Sequence, residues 1–257
     1  MQSICHSEQK WPHKAAIFAW ESDSFLGEMD CHGSLRSLAM TGWDVLRQPL
    51  LYALRRHVVY FGKMTGGDPM DAQELLKALH VAERLKDATR HCYTSGGRHE
   101  SVAEHSWRVS LMAYWLWDEF PEADMDKVIR MCLIHDLGEA FTGDIPTFLK
   151  TKADEDREEG LLSAWVATLP PPYREEMAEL YREMAERRTP EARIFKALDG
   201  LEALIQHNES SLSTWSENEY ELNLHYADDK VAFSEYLRSL RQAVREETLQ
   251  KIETEKI

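Results

Sequence analysis

From Met70 onward, apolar residues recur every three or four positions, the period of helices that bury one face. Between Asp71 and Ala88 this spacing puts Leu75, Leu76, Leu79, Ala82 and Leu85 on one side, with Asp71 placed to cap the first turn. Ser101-Val102-Ala103-Glu104 has the spacing of a capping box, in which the serine hydroxyl and the glutamate carboxylate each satisfy a free backbone N–H. It predicts a helix running to about Glu119. Met125 to Ala140 predicts a strongly apolar helix, buried around Val128 to Ile134. Further helices are expected near 154–168, 172–187, 190–208 and 228–252. Gly143-Asp144-Ile145-Pro146 and Leu169-Pro170-Pro171-Pro172 interrupt them, because proline lacks the N–H a helix interior needs. No alternating run is long enough to predict a strand, so the expected fold is all-α, a single helical bundle.

Residues 1–69 differ. They show little sustained period apart from a short helical pattern around Val45 to Tyr60, and they end in the loop signal Thr65-Gly66-Gly67-Asp68-Pro69. Their seven basic and seven acidic residues cancel, so the whole net charge of −15 lies in residues 70–257. The expected organisation is therefore an N-terminal extension over 1–69 and one domain over 70–257, with Met70 a candidate natural start.

Composition narrows the function. An apolar fraction of 43% and a charged fraction of 29% belong to a globular chain with a real core. No run approaches the length of a membrane helix, and Ala15 to Trp20 is too short for a signal-peptide core, so a cytoplasmic location and no membrane partner are expected. Cys5, Cys31, Cys92 and Cys132 are scattered without a CxxC pair, which predicts reduced thiols rather than a disulfide framework or a cysteine zinc site. The acidic balance argues against a nucleic-acid polymer as partner. A small phosphate ester remains compatible if a cation and a few arginines converge in one pocket.

The candidate chemistry lies where ionisable residues interrupt apolar helices. His135-Asp136 follows Ile129 to Ile134, and burying such a pair is costly unless it is paired or binds a metal. Upstream, His105 sits one turn inside the capped helix. Downstream, Asp199 interrupts Ile194 to Leu201. Two imidazoles and two carboxylates suit a divalent ion such as Mn²⁺, Co²⁺, Fe²⁺, Zn²⁺ or Mg²⁺. The same residues also fit a structural role, with His105 in a polar network and Asp199 paired with Lys196 or Arg193.

Two longer strings go further. Arg90-His91-Cys92-Tyr93-Thr94 with Gly97-Arg98-His99-Glu100-Ser101-Val102-Ala103-Glu104-His105-Ser106, and Ile134-His135-Asp136-Leu137-Gly138-Glu139-Ala140-Phe141-Thr142-Gly143-Asp144-Ile145-Pro146-Thr147, resemble the motifs of HD-domain 5′-deoxynucleotidases. The resemblance spans roughly residues 72 to 210 and implies an HD-type helical domain, hydrolysing deoxynucleoside 5′-monophosphates with a divalent metal held by His105, His135, Asp136 and Asp199. It further implies that Glu139 orients or deprotonates the attacking water, that Asp144 assists, and that Arg90 meets the phosphate or sugar. The chain departs from some bacterial members in carrying His91 where they have tryptophan, and residues 1–69 have no counterpart in the motifs.

These roles agree with the chemistry. A carboxylate within reach of a metal-activated water serves as general base, and Glu139 is expected one turn past His135 on the same helix. Arg90 and Arg98 fall in a Gly-rich loop, where their forked donors suit a phosphate; a brace to Glu104 or Asp144 is the alternative for Arg98. Lys150 reads as a surface lysine. Trp107, Tyr114, Trp115 and Trp117 read as core or as a homodimer contact, and His207 and His225 as non-ligands. Two other functions remain open: another nucleotide substrate (a dNTP, guanosine tetraphosphate or a cyclic dinucleotide), and a binding module without turnover.

Overall fold

The computed structural model describes residues 70–255; the expectations for residues 1–69 lie outside them. The elements are α1 (Ala72–Ala82), a 3-10 turn at Glu83–Lys86, β1 (Thr89–Tyr93), β2 (His99–Ser101), α2 (Val102–Trp115), α3 (Met125–Ile134), α4 (Glu139–Thr142), α5 (Lys152–Val166), α6 (Tyr173–Glu186), α7 (Pro190–Glu209), α8 (Glu217–His225), α9 (Asp228–Val231) and α10 (Glu235–Glu255). The architecture is a helical bundle, as expected, with one small antiparallel hairpin.

The predicted caps form. Asp71 accepts from the backbone of Gln73 and Glu74, and Ser101 and Glu104 close a capping box at the start of α2. Thr189 caps α7, with Pro190 at the first position, where its missing N–H costs nothing. Helix α7 is the central element. Its Ile194, Phe195, Leu198 and Leu201 are buried against Val109 and Ala113 of α2 and Val128 and Met131 of α3. Each such side chain contributes about 1.5–3 kcal/mol by leaving water. That core fixes α2, α3 and α7 together, and each brings one part of the site.

The structure differs from the sequence expectation in four places. First, Thr89–Tyr93 and His99–Ser101 pair as a hairpin, with an irregular register between Thr89 and Tyr93. Its loop turns through Gly97 at a positive φ of 81°, open to glycine without strain. Second, the helix expected over 125–140 ends at Ile134; Glu139 opens a separate short helix, α4, which Gly143 stops at a φ of 77°. Third, the helix expected over 228–252 is two helices, and α8 precedes them. Fourth, Leu75, Leu76 and Leu79 are about half exposed, so of the face expected on α1 only Leu85, in the following turn, is buried. Trp107, Tyr114 and Trp115 are 61–70% exposed, which excludes a core role for them, whereas Trp117 packs at the core's edge.

Candidate metal centre

The break at the end of α3 builds the centre. After Ile134 the backbone tightens from i−4 to i−3 hydrogen bonds, with Leu137 N–H donating to Ile134 and Glu139 N–H to Asp136. Side chains add to this turn: the Tyr181 hydroxyl also donates to Ile134 C=O at 2.7 Å, and His135 Nδ1–H donates to Cys132 C=O at 2.8 Å. His135 and Asp136 are neighbours that a helix points about 100° apart, and at this helix end both side chains reach the same place, His135 Nε2 lying 3.0 Å from Asp136 Oδ2.

All four expected residues meet there. His135 Nε2 lies 3.0 Å from Asp136 Oδ2 and 3.7 Å from Asp199 Oδ1, while His105 Nε2 lies 3.2 Å from Asp199 Oδ1 and 3.8 Å from Asp136 Oδ2. Helix α2 supplies His105, the α3 terminus His135 and Asp136, and α7 Asp199. The two readings of Asp199 coexist, since its other oxygen accepts from Lys196 Nζ at 2.6 Å.

The donor chemistry fits a divalent cation. Because His135 spends its Nδ1–H on a carbonyl, its Nε2 presents a lone pair, and that buried atom makes no hydrogen bond despite its proximity to Asp136. His105 is oriented in the same way: its Nδ1 is hydrogen-bonded to the buried carboxylate of Glu202, leaving Nε2 for the cluster. A histidine whose far nitrogen is held by a carbonyl or carboxylate is the usual form of a metal ligand. Two lone pairs and two carboxylates facing one another require positive charge between them. In the metal-free chain protons provide it: burial opposes a charged ring, yet Asp136 and Asp199 outweigh it and raise His135 to about 10. Asp136 is correspondingly held down at about 2, with His135 overcoming the effect of burial.

Glu139 is buried beside this cluster, and one of its oxygens has no hydrogen-bond partner. Burial, then the charges of Asp136, Asp144 and Glu158, push its carboxyl up to about 10, with Lys150 acting in the opposite sense. Asp144 is raised too, chiefly by burial, against the pull of Arg90. A cation at the cluster would offset these negative charges and return Glu139 toward its ionised form.

Arg90 and Arg98 are separated by the hairpin. Arg90 is nearly buried, and its Nη1 donates to Glu100 at 2.8 Å and to Glu202 at 3.2 Å, directly behind His105. Arg98 instead grips Glu104 at the surface, bracing the capping box of α2, which is the alternative expected for it. Lys150 is not a free surface lysine: it pairs with Glu158 at 2.7 Å and, with His135, Asp136 and Lys196, lines a cleft of about 920 Å³. Glu202 and Glu100 were absent from the sequence-based site. Glu202 carried the signal that picked out Asp199, an ionisable residue in an apolar stretch one turn further on; Glu100 gave none.

Known proteins resemble this chain in sequence and in fold. Human 5′-deoxynucleotidase HDDC2 is 32% identical over 142 residues, covering 54% of this chain and 69% of that protein. Its Dictyostelium discoideum counterpart is 27% identical over 176 residues, covering 65% and 87%. Among solved structures, that of a predicted metal-dependent phosphohydrolase from Magnetospirillum magnetotacticum MS-1 superposes with a TM-score of 0.60 at 26% identity, over 71% of this chain and 97% of that one. The family model described as HD domain matches residues 82–241, a span that contains all four converging residues. By that match, the chain belongs to the HD domain family.

Proposed function

We propose that the chain is a metal-dependent phosphomonoesterase that hydrolyses deoxynucleoside 5′-monophosphates to the deoxynucleoside and phosphate. The observation that carries this reading is the convergence of His105, His135, Asp136 and Asp199 on one point at the wall of a cleft large enough for a nucleotide. The kinship with 5′-deoxynucleotidases supports the choice of substrate.

A divalent cation held by these four residues would polarise the phosphoryl oxygen and acidify water. The chain's own residues do the rest. Glu139, ionised once positive charge fills the cluster, accepts the proton of the attacking water at its unpartnered oxygen. Glu202 and the Cys132 carbonyl hold the imidazoles of His105 and His135 in the ligating tautomer. Lys150 and Lys196, on the cleft wall, stabilise charge on the transferring phosphoryl group. Arg90 engages the two carboxylates through Nη1 alone, which leaves the rest of its fork for the sugar or phosphate. Asp144, half-buried near Glu139 on the loop after α4, helps position the water or the sugar.

The exposed Trp107, Tyr114 and Trp115 on α2 support a homodimer, and the free, buried Cys92 and Cys132 support a reducing, cytoplasmic setting. Phosphate release from a panel of dNMPs, NMPs and dNTPs, with Mn²⁺ or Co²⁺ added to metal-stripped protein, tests the reading. Preferential, metal-dependent release from dNMPs is expected. Preference for dNTPs would reassign the substrate, and no release despite bound metal would leave a binding module.

A further inference from the structure

His91 and His207, neither of which is used by the proposed reaction, meet Cys92 and Glu219 where β1 adjoins the ends of α7 and α8. The ligating atoms lie close together: His91 Nε2 is 3.0 Å from Glu219 Oε1, 3.3 Å from His207 Nε2 and 3.9 Å from Cys92 Sγ. His207 Nε2 is 3.2 Å from Cys92 Sγ and 3.6 Å from Glu219 Oε1. Three elements contribute: β1 gives His91 and Cys92, the last turn of α7 gives His207, and the first turn of α8 gives Glu219. The register irregularity of β1 lets two consecutive residues aim at one point, where a regular strand would send them to opposite faces.

Hydrogen bonding can use only two of these contacts at once, His91 with Glu219 and Cys92 with His207. Each Nε2 carries either one hydrogen or one lone pair, yet each faces three polar atoms, one of them the other Nε2. A cation at the centre would use four lone pairs at once. Zinc–nitrogen, zinc–oxygen and zinc–sulfur bonds of about 2.0–2.3 Å give a tetrahedron with edges of about 3.3–3.7 Å; His91, Cys92 and His207 lie 3.2–3.9 Å apart, and Glu219 lies 3.0 and 3.6 Å from the two imidazoles.

We propose that His91, Cys92, His207 and Glu219 form a second metal centre, a closed four-ligand zinc site that clamps β1 to the facing ends of α7 and α8. One thiolate, two imidazoles and one carboxylate suit zinc, and four protein ligands leave no open position for a substrate, so the centre is structural. Its effect on the first centre is one of position. The strand it anchors carries Arg90, whose guanidinium braces Glu100 and Glu202 behind His105. His91 also makes an edge contact with Phe148 at 5.5 Å, on the loop that carries Asp144. His207 Nδ1 has no partner behind it, unlike the far nitrogens of His105 and His135.

Cobalt substitution of the full chain tests this, because the four ligands of the first centre include no thiol. Titration of metal-stripped protein with Co²⁺ should show one equivalent of metal beyond that of the first centre, with a thiolate-to-cobalt charge-transfer band. The band should survive Asp199→Ala, which disables the first centre. It should vanish, together with one equivalent of metal, in Cys92→Ser. Should Cys92→Ser fail to fold by circular dichroism, His91→Asn, at a partly exposed ligand, should shift or weaken the same band. Absence of the band from folded wild-type protein overturns the proposal whatever the variants do. So does an unchanged band in folded Cys92→Ser.

Discussion

Glu202 lies one helical turn beyond Asp199 on α7 and is hydrogen-bonded to Nδ1 of His105, so one helix both supplies a carboxylate to the cluster and orients an imidazole of that cluster. Glu202→Gln keeps the shape but removes the charge that holds His105 in its ligating form. Metal affinity is expected to fall about 10–100-fold, measured by competition with a chromophoric chelator. Turnover should largely return at saturating metal. An unchanged affinity would remove Glu202 from the centre.

Glu139 is assigned to the water rather than to the metal. Glu139→Gln should bind metal as the wild type does and lose about 10²–10⁴-fold in kcat, read as phosphate release under saturating metal. Full activity in this variant would exclude Glu139 as the base.

The two arginines of the hairpin should separate cleanly. Arg90→Ala leaves Glu100 buried without its cation, while Glu202 keeps His105 and Arg108, so a drop in Tm is expected from the stranded Glu100. Arg98→Ala loses only a solvent-exposed pair with Glu104 and should leave Tm and turnover close to wild type. Equal effects would contradict the placement of Arg90.

Metal-stripped protein should lose stability as pH rises. His135, raised from 6.5 to about 10 because Asp136 and Asp199 outweigh its burial, stabilises the fold fully below pH 6.5 and progressively less up to about pH 10. Glu139, raised from 4.5 to about 10 by burial and Asp136, acts in the same direction: the unfolded chain releases its proton while the folded chain keeps it. These two groups are therefore expected to lower Tm of the stripped protein as pH rises from 4.5, through Glu139, and more steeply between 6.5 and 10, where His135 adds to it. Bound metal replaces these protons and should flatten the slope. A stripped protein that gains stability across this window would contradict the assignment.

Most of the helices were legible from the three-to-four-residue apolar period; the four ligand candidates stood out as ionisable residues in apolar runs, and the resemblance to HD-domain motifs implied them as a set. The hairpin was not, because Thr89–Tyr93 carries Arg90 and His91 and has an irregular register, so no alternation survives. Helix α8 was hidden for a related reason. Glu217–His225 buries only Glu219 and Asn223 and shows no apolar stripe. The break after Ile134 was missed because Leu137 and Ala140 continue the apolar pattern, while the Tyr181 hydroxyl that adds to this turn is a tertiary contact. That His207 meets His91, Cys92 and Glu219 was not legible, because His91 and Cys92 lie 116 and 115 residues away and Glu219 sits on a helix without an apolar stripe.

Anomalous diffraction from crystals of the full chain grown with Mn²⁺ tests the central claim most directly. The account predicts a manganese peak bonded to His105 Nε2, His135 Nε2, Asp136 and Asp199, with Glu202 outside the coordination shell. A peak held instead by Glu100, His105 and Glu202, the other cluster around this histidine, or no peak among the four residues, would contradict it.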